Sequence, residues 1–383
     1  MRYTTAGESH GRALTAIVSS VPAGIPVSVG DIDADLARRQ SGYGRGGRQR
    51  IETDRCTILS GVRFGRSIGT PIALTVVNRD WDNWTDVMAV SGEKPEGARL
   101  TAPRPGHADL PGVLKIGSDD VRDVLERASA RETAARVAAG GIAKAFLREL
   151  GVDVVSFVSA IGPVEMTPVV DPSTVDPVAV EESVVRCPDP EATERMKREI
   201  DQARADGESL GGVFVVTARR LPPGLGGYAE ADARLDTRLA AALMSIPAIK
   251  GVEIGDGFAL ASRRGSDAHD EILFEPGHGF ARPTNHAGGV EGGMTNGEPL
   301  VVRAAMKPIP TLMRPLASVE LDTHAAIDAS KERSDVCAVP AAAVVAEAEV
   351  AFVLARAFMD KFGCDTLPDI RMAKDAYLSR IRT

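Results

Sequence analysis

Arg38, Arg39, Arg45, Arg48, Arg50 and Arg55 crowd one short stretch of the chain, punctuated by Gly42, Gly44, Gly46 and Gly47. Guanidinium forks bind carboxylate or phosphate through paired hydrogen bonds, and glycines let the backbone come close to a ligand. The stretch therefore fits a small molecule rich in oxyanions; a solvated basic loop is the plain alternative. Gly42-Tyr43-Gly44-Arg45-Gly46-Gly47 also satisfies the Gly-x-Gly-x-x-Gly spacing of dinucleotide sites, which needs a strand before it and a helix after it. A helix is expected before it here, so that reading is set aside. No Walker lysine follows any glycine loop, which leaves nucleotide hydrolysis unsupported.

Proton chemistry points to two of the six histidines. His10 and His107 sit in compact polar settings, Glu8-Ser9-His10-Gly11 and Arg104-Pro105-Gly106-His107-Ala108-Asp109. Imidazole titrates near neutrality, so each is a candidate acid or base worth roughly 100-fold to 10,000-fold in rate, against the alternative of a structural histidine. Ser9 beside His10 is not the Gly-x-Ser-x-Gly elbow of hydrolases. His269, His278, His286 and His324 lack zinc-site spacing, and no protein-bound metal is expected. Arg127 and Arg131 stand four apart, on one face if helical, where both could address one anion or simply pair with Asp123 and Glu132.

These groups need a scaffold. Residues 30–39 read as a helix with acids in its first turn and arginines in its last, and 71–77 as a strand. Residues 119–150 read as one long or broken helix, weakened by Gly140-Gly141. Strands are expected at 153–159, 212–218 and 300–306, and helices at 196–205 and 232–246, with Pro340 opening a final helix that Gly363 closes. Residues 163–190, rich in proline and acid, read as a surface excursion, and the glycine-rich stretch 259–311 as functional loop. Strands and helices do not alternate strictly, which favours a layered α+β architecture over a doubly wound parallel sheet.

Composition narrows the function classes. The 383 residues are 44% apolar and 26% charged, ordinary for a soluble globular chain, and the net charge of −8 argues against a nucleic-acid partner. No run approaches the roughly 18 apolar residues of a membrane span, and Met1 to Gly7 lacks a signal-peptide core, so a cytoplasmic chain is expected. Cys56, Cys187, Cys337 and Cys364 lie far apart, indicating neither a disulfide framework nor a zinc site.

Five ordered motifs together resemble the chorismate synthase family: Gly7-Glu8-Ser9-His10-Gly11, the Arg104–Asp109 segment, Ile249-Lys250-Gly251-Val252-Glu253-Ile254-Gly255, Glu291-Gly292-Gly293-Met294-Thr295-Asn296-Gly297 and Arg333-Ser334-Asp335-Val336-Cys337. The resemblance implies a layered β-α-β sandwich forming a single domain over 1–383, not a Rossmann fold, and a homotetramer built as a dimer of dimers. It implies conversion of 5-enolpyruvylshikimate 3-phosphate to chorismate and phosphate, an anti-1,4-elimination without net redox change that needs reduced FMN. In that picture His10 protonates the departing phosphate, His107 protonates or steadies the flavin, and Asp335 manages the proton at its N5. Substrate would be held by Ser9, Arg39, Arg45, Arg48, Arg104, Ser129, Arg131 and Arg333. FMN would be held by Arg127, Ala128, Ser129, Pro247, Ala248, Gly292, Lys307, Pro308, Ile309, Pro310, Thr311 and Arg333, while Arg39 and Arg45 are also associated with NADP(H).

Such a substrate carries two carboxylates and a phosphate, so several fixed cations in a water-poor site make physical sense. Related chains usually have glutamine where this one has Pro247, which removes a side-chain amide and a backbone donor and bears on flavin affinity. Electrons would come from a separate flavin reductase. The rival enzyme reading, an NADP(H)-dependent flavin reductase or oxidoreductase, expects net NADPH oxidation without substrate; a non-catalytic anion-binding module expects binding without phosphate release.

Overall fold

The structure, a computed structural model, describes residues 1–46, 53–168, 171–276, 279–330 and 334–381. Four strands, β1 (Arg2–Ala6), β2 (Ala13–Ser19), β3 (Cys56–Ile58) and β4 (Ile72–Val77), form one sheet in the order β1-β2-β4-β3. Leu14, Ala16 and Val18 on β2 and Ile72, Leu74 and Val76 on β4 alternate inward, giving the sheet one buried face. Five more, β5 (Asp153–Ile161), β6 (Val164–Glu165), β7 (Gly212–Arg219), β8 (Ile249–Ile254) and β9 (Leu300–Met306), form a second sheet in the order β8-β9-β7-β5-β6. Every pairing within both sheets is antiparallel.

The helices are α1 (Val29–Gln40), α2 (Asp109–Ile116), α3 (Arg122–Ala128), α4 (Thr133–Glu149), α5 (Pro190–Asp206), α6 (Leu235–Met244), α7 (Val339–Phe362) and α8 (Leu367–Ile381), with short helices at Pro177–Glu182 and Gly265–Ala268. Helix α4 packs on β2 and β4, α7 packs on β5 and β7, and the two helices pack on each other, so helices fill the space between sheets. This is the expected layered α+β arrangement. A helix apolar on all sides belongs in a core, and α7, mostly alanine and valine, is buried along nearly its whole length. A Cβ on Gly140 would lie 2.3 Å from Ala348 Cβ, and one on Gly141 2.8 Å from Ile32 Cγ1. The glycine pair is therefore where α4 meets α7 and α1, and close packing offsets its low helix propensity.

One carboxylate ties these helices together. Glu347 of α7 accepts from Arg38 at 2.8 Å, Lys144 at 2.7 Å and the Ser156 hydroxyl at 2.9 Å. Burial alone would raise its pKa, but the Lys144 and Arg38 charges outweigh it and hold the carboxyl well below its ordinary range.

The structure takes the broken option at 119–150 and departs from the sequence expectations elsewhere. The 119–150 helix is broken: Ser129 is extended, at φ −65° and ψ 143°, and a single 3-10 turn, Ala130–Glu132, precedes α4. The 163–190 segment buries Val180, Val185 and Cys187, so part of it is packed against the body, where Val158 N–H donates to the Arg186 carbonyl. Helix α7 is not the last, since α8 follows and tucks Leu367 and Ile370 into the core. Strands β1 and β2 went unrecognised because threonine and alanine dilute their apolar alternation. Among the described residues, Cys56, Cys187 and Cys337 are buried thiols and Cys364 is exposed, and no helix is long and apolar enough to cross a membrane.

Candidate active site

The turn between β1 and β2 can be built only with glycine at its start, because Gly7 has φ 110° and a Cβ there would lie 2.4 Å from the Ala13 carbonyl oxygen. Asn78 pins the rest of the turn, donating to the Gly11 carbonyl at 2.6 Å and the Glu8 carbonyl at 3.2 Å. His10 then meets Glu126 of α3. The carboxylate accepts from the His10 backbone at 2.8 Å and lies 2.9 and 3.1 Å from Nδ1 through its two oxygens. Burial would raise the Glu126 pKa, but its hydrogen bonds with His10 and the nearby Arg122 charge lower it. An ionised carboxylate can only accept, so Nδ1 of His10 carries a proton. The imidazole also stacks on Trp84, with centroids 3.8 Å apart and planes 24° from parallel.

Ser9, buried beside His10, accepts from the Ser129 hydroxyl at 3.1 Å, and that contact joins the His10 turn to a wall of arginines. Arg39 in the last turn of α1 donates to Thr133 Oγ1 and the Ala130 carbonyl, both at 2.9 Å, and reaches Asp54 only at 3.5 Å. Arg131 donates to Asn78 at 2.9 Å and to the same Asp54 at 2.7 Å. Arg45 pairs with Asp335 at 2.7 Å, while Gly46 N–H donates to the other Asp335 oxygen at 2.6 Å. Among the described residues, two carboxylates thus face three guanidinium groups, those of Arg39 and Arg131 buried and that of Arg45 partly so. Burial pushes the Arg39 pKa down to about 9; Asp54 opposes this, while Arg131 and Arg45 add to it. Arg45 Nε is buried without a hydrogen-bond partner among the described residues. Such a wall favours an incoming anion. Arg48, Arg333 and the remaining loop arginine Arg50 lie outside the described residues.

A second cluster is local. Asp109, the first residue of α2, accepts from Arg104 Nε at 2.8 Å and from His107 Nδ1, while Arg104 also donates to Thr311 at 3.1 Å. Burial would raise the Asp109 pKa, but hydrogen bonds from His107 and Arg104 hold it at about 2, and the α2 N-terminus adds favourable dipole. Lys307 donates to the Gly106 carbonyl at 2.6 Å, and its backbone N–H to Ala248 at 2.9 Å. Ala248, following Pro247, takes a left-handed φ of 69°, which turns the chain into β8. Pro247, Ala248 and the Lys307–Thr311 run therefore converge on the Arg104–His107 cluster. Ser209 bonds the Ile309 carbonyl at 2.6 Å, and Leu210 the Val336 carbonyl at 2.8 Å, linking this run to Asp335.

Helices α2 and α3 carry the two carboxylates that hold the histidines. A Cβ on Gly112 would lie 2.3 Å from Val124 Cγ1, so glycine sets how closely the pair packs over Val113, Val121 and Leu125.

Two expectations do not come together this way. Arg127 and Arg131 do not share a helix face: α3 ends at Ala128, Arg127 donates to the Thr5 hydroxyl at 2.7 Å, and Arg131 points at Asp54. Gly292 sits in the turn joining Val290–Glu291 to Met294–Thr295, beyond the Ile254/Val302 end of the β8–β9 pair, whereas Ala248 and Lys307 flank the Ile249/Met306 end. The described part of the glycine stretch, residues 42–46, follows helix α1 rather than a strand, as expected for a false dinucleotide match. Glu126, Trp84, Asn78, Asp54 and Ser209 were not singled out from the sequence for any role here. One signal was present, since the Asn78–Trp84 run holds both tryptophans of the chain.

The chorismate synthase family model matches residues 1–359. The chorismate synthase of Symbiobacterium thermophilum is 58% identical over 391 aligned residues, covering 100% of this chain and 99% of that protein. That of Desulforudis audaxviator is 57% identical, covering 100% and 98%. A solved chorismate synthase crystal structure superimposes with a TM-score of 0.81 at 43% identity, covering 100% of this chain and 98% of that one. With family model, full-length relatives and fold in agreement, the chain belongs to the chorismate synthase family, the shikimate-pathway lyases that turn 5-enolpyruvylshikimate 3-phosphate into chorismate and phosphate.

Proposed function

We propose that the arginine wall and the two histidine clusters are the site of this elimination, with all 383 residues working as one domain. The observation that carries the reading is the Ser9–Ser129 bond, which sets His10 beside buried guanidinium groups that outnumber their carboxylates. Arg39, Arg45 and Arg131, with Arg48 and Arg333, bind the phosphate and carboxylates of substrate, each charge-assisted hydrogen bond contributing about 1.5–3 kcal/mol. Arg104 is fixed by Asp109 and Thr311, so it presents a preset charge at no reorganisation cost. His10 gives a proton to the departing phosphate. His107 supplies positive charge or a proton on the flavin side, and Asp335 would manage the proton at the flavin N5.

Reduced FMN fits the groups present. At Gly106 the backbone runs close under Lys307 and Pro310, where a Cβ would lie 3.4 Å from Lys307 Nζ and 3.6 Å from Pro310, and Lys307 and Arg127 would bring cations for its phosphate. Ala128, Ser129, Pro247, Ala248 and the Lys307–Thr311 backbone would hold the rest, with Gly292 contributing from its own hairpin. When bound, reduced FMN would lend the electron that cleavage of an unactivated C–O bond requires and would recover it as the ring hydrogen is lost, leaving no net redox change. Arg39 and Arg45 could serve NADP(H) by the same phosphate chemistry. The working form is a cytoplasmic homotetramer supplied with reduced flavin by a separate reductase.

Anaerobic mixing of the protein with chemically reduced FMN and 5-enolpyruvylshikimate 3-phosphate tests this reading. Phosphate and chorismate should appear together in equal amounts. NADPH oxidation without substrate, or substrate binding without phosphate release, would contradict it.

A further inference from the structure

A histidine on a loop has two rotatable bonds, and a backbone turn alone does not fix where its ring points. Around His10 the structure supplies what the turn lacks. One carboxylate, Glu126, accepts from both the His10 backbone N–H at 2.8 Å and the ring Nδ1 at 2.9 Å, so main chain and ring are held by a single group. Trp84 covers one face of the ring at a 3.8 Å centroid distance. Arg122 binds both restraints to each other, donating to Glu126 at 2.9 Å while its guanidinium lies 5.1 Å over the Trp84 ring. Trp84 is itself anchored through Nε1 to Asp80 at 3.1 Å.

We propose that Glu126 and Trp84, coupled by Arg122, are positioning residues that clamp His10 with Nε2 as its proton-donating atom. The inference rests on the reading of His10 as the acid for the departing phosphate. Because Glu126 accepts at Nδ1, that nitrogen keeps its proton throughout, and only Nε2 can lose and regain one. Other charged groups set the field there: Arg122 opposes Glu126, while Glu8, Asp86 and Asp123 line, with both, one cavity of about 410 Å³ beside the pair. Asp80 contributes from the turn that carries Trp84.

Misplacing a reacting group by about 1 Å costs on the order of 100-fold. Glu126→Gln keeps the shape and removes the charge, so kcat should fall roughly 10-fold to 100-fold with KM changed far less. Glu126→Asp, which keeps the carboxylate, should restore part of that loss. Trp84→Leu should lower kcat more than Trp84→Phe, which keeps a ring against the imidazole.

The decisive experiment measures Glu126→Gln in the parent and in a His10→Ala background, with reduced FMN under anaerobic conditions and thermal melts confirming folding. A clamp that acts through His10 predicts that Glu126→Gln has no further effect once His10 is gone. An equal loss in both backgrounds, or no recovery in Glu126→Asp, overturns the clamp while leaving the His10 reading intact. Full turnover in His10→Ala alone overturns the His10 reading, and the clamp with it.

Discussion

His107 finds its carboxylate two residues along the chain, whereas His10 finds its own 116 residues away. Asp109 holds His107 and Arg104 within one turn at the start of α2, so that cluster can form almost wherever the turn forms. Glu126 reaches His10 only when α3 lies beside the β1–β2 turn, which requires the first sheet, α2 and α3 to be packed. The local pair is a property of a hexapeptide and the distant pair a property of the fold. Rotational freedom explains the different construction. His10 stands on a loop and needs a second, aromatic restraint, while His107 lies in a short segment already fixed by Arg104, Asp109 and Lys307.

The largest effect should come from removing either imidazole. His10→Ala and His107→Ala should each lower turnover by about 100-fold or more, with thermal melts unchanged, as steady-state chorismate assays can check. A loss in one variant alone would break the symmetry of the comparison. Asp109→Asn comes next, because it releases Arg104 and His107 together. The Asp109 pKa is depressed in the folded chain to about 2, so its stabilisation is complete above about pH 4 and disappears as pH falls from there toward 2. The variant should therefore lose roughly 2 kcal/mol at neutral pH and show a flatter acid-denaturation curve across that window.

Gly112→Ala sharpens the comparison at smaller cost. Its new methyl meets Val124 and should destabilise the chain by about 1–3 kcal/mol, read from urea unfolding. It moves α3 against α2, so its kinetic defect should resemble that of Glu126→Gln rather than that of Asp109→Asn. The smallest effect is expected from Pro247→Gln, which restores a donor next to Ala248. One added hydrogen bond is worth about 0.5–1.5 kcal/mol, so FMN should bind a few-fold to about tenfold more tightly by fluorescence titration.

The same contrast explains what was legible in the sequence. The Arg104–Asp109 motif could be read because the side-chain partners of His107, Arg104 and Asp109, lie within it. Arg39, Arg45 and Arg131 could be picked out by type, but Asp54, which sits between two of them, could not, because α1, the 3-10 turn and the stretch before β3 meet only in three dimensions. Glu126 was visible as one more charge on a charged helix. The layered α+β class followed from irregular alternation of elements, and β5, β7, β9, α1 and α7 from clear apolar runs or end signals. Helix α2 was missed because Pro111 and Gly112 weaken its pattern, although proline in a first turn and a glycine at a helix contact are both compatible with helix. The break at Ser129 was foreseen only as an option, since its extended backbone is set by contacts with Ser9 and Arg131 rather than by neighbours in sequence.

Phosphate release tests the central claim most directly. Parent, His10→Ala and His107→Ala proteins would be mixed anaerobically with reduced FMN and saturating 5-enolpyruvylshikimate 3-phosphate, following phosphate and chorismate in one single turnover. The account predicts equal, simultaneous release of both products by the parent and a rate reduced by about 100-fold or more in each variant that still binds substrate. Phosphate release at the parent rate in either variant would contradict it.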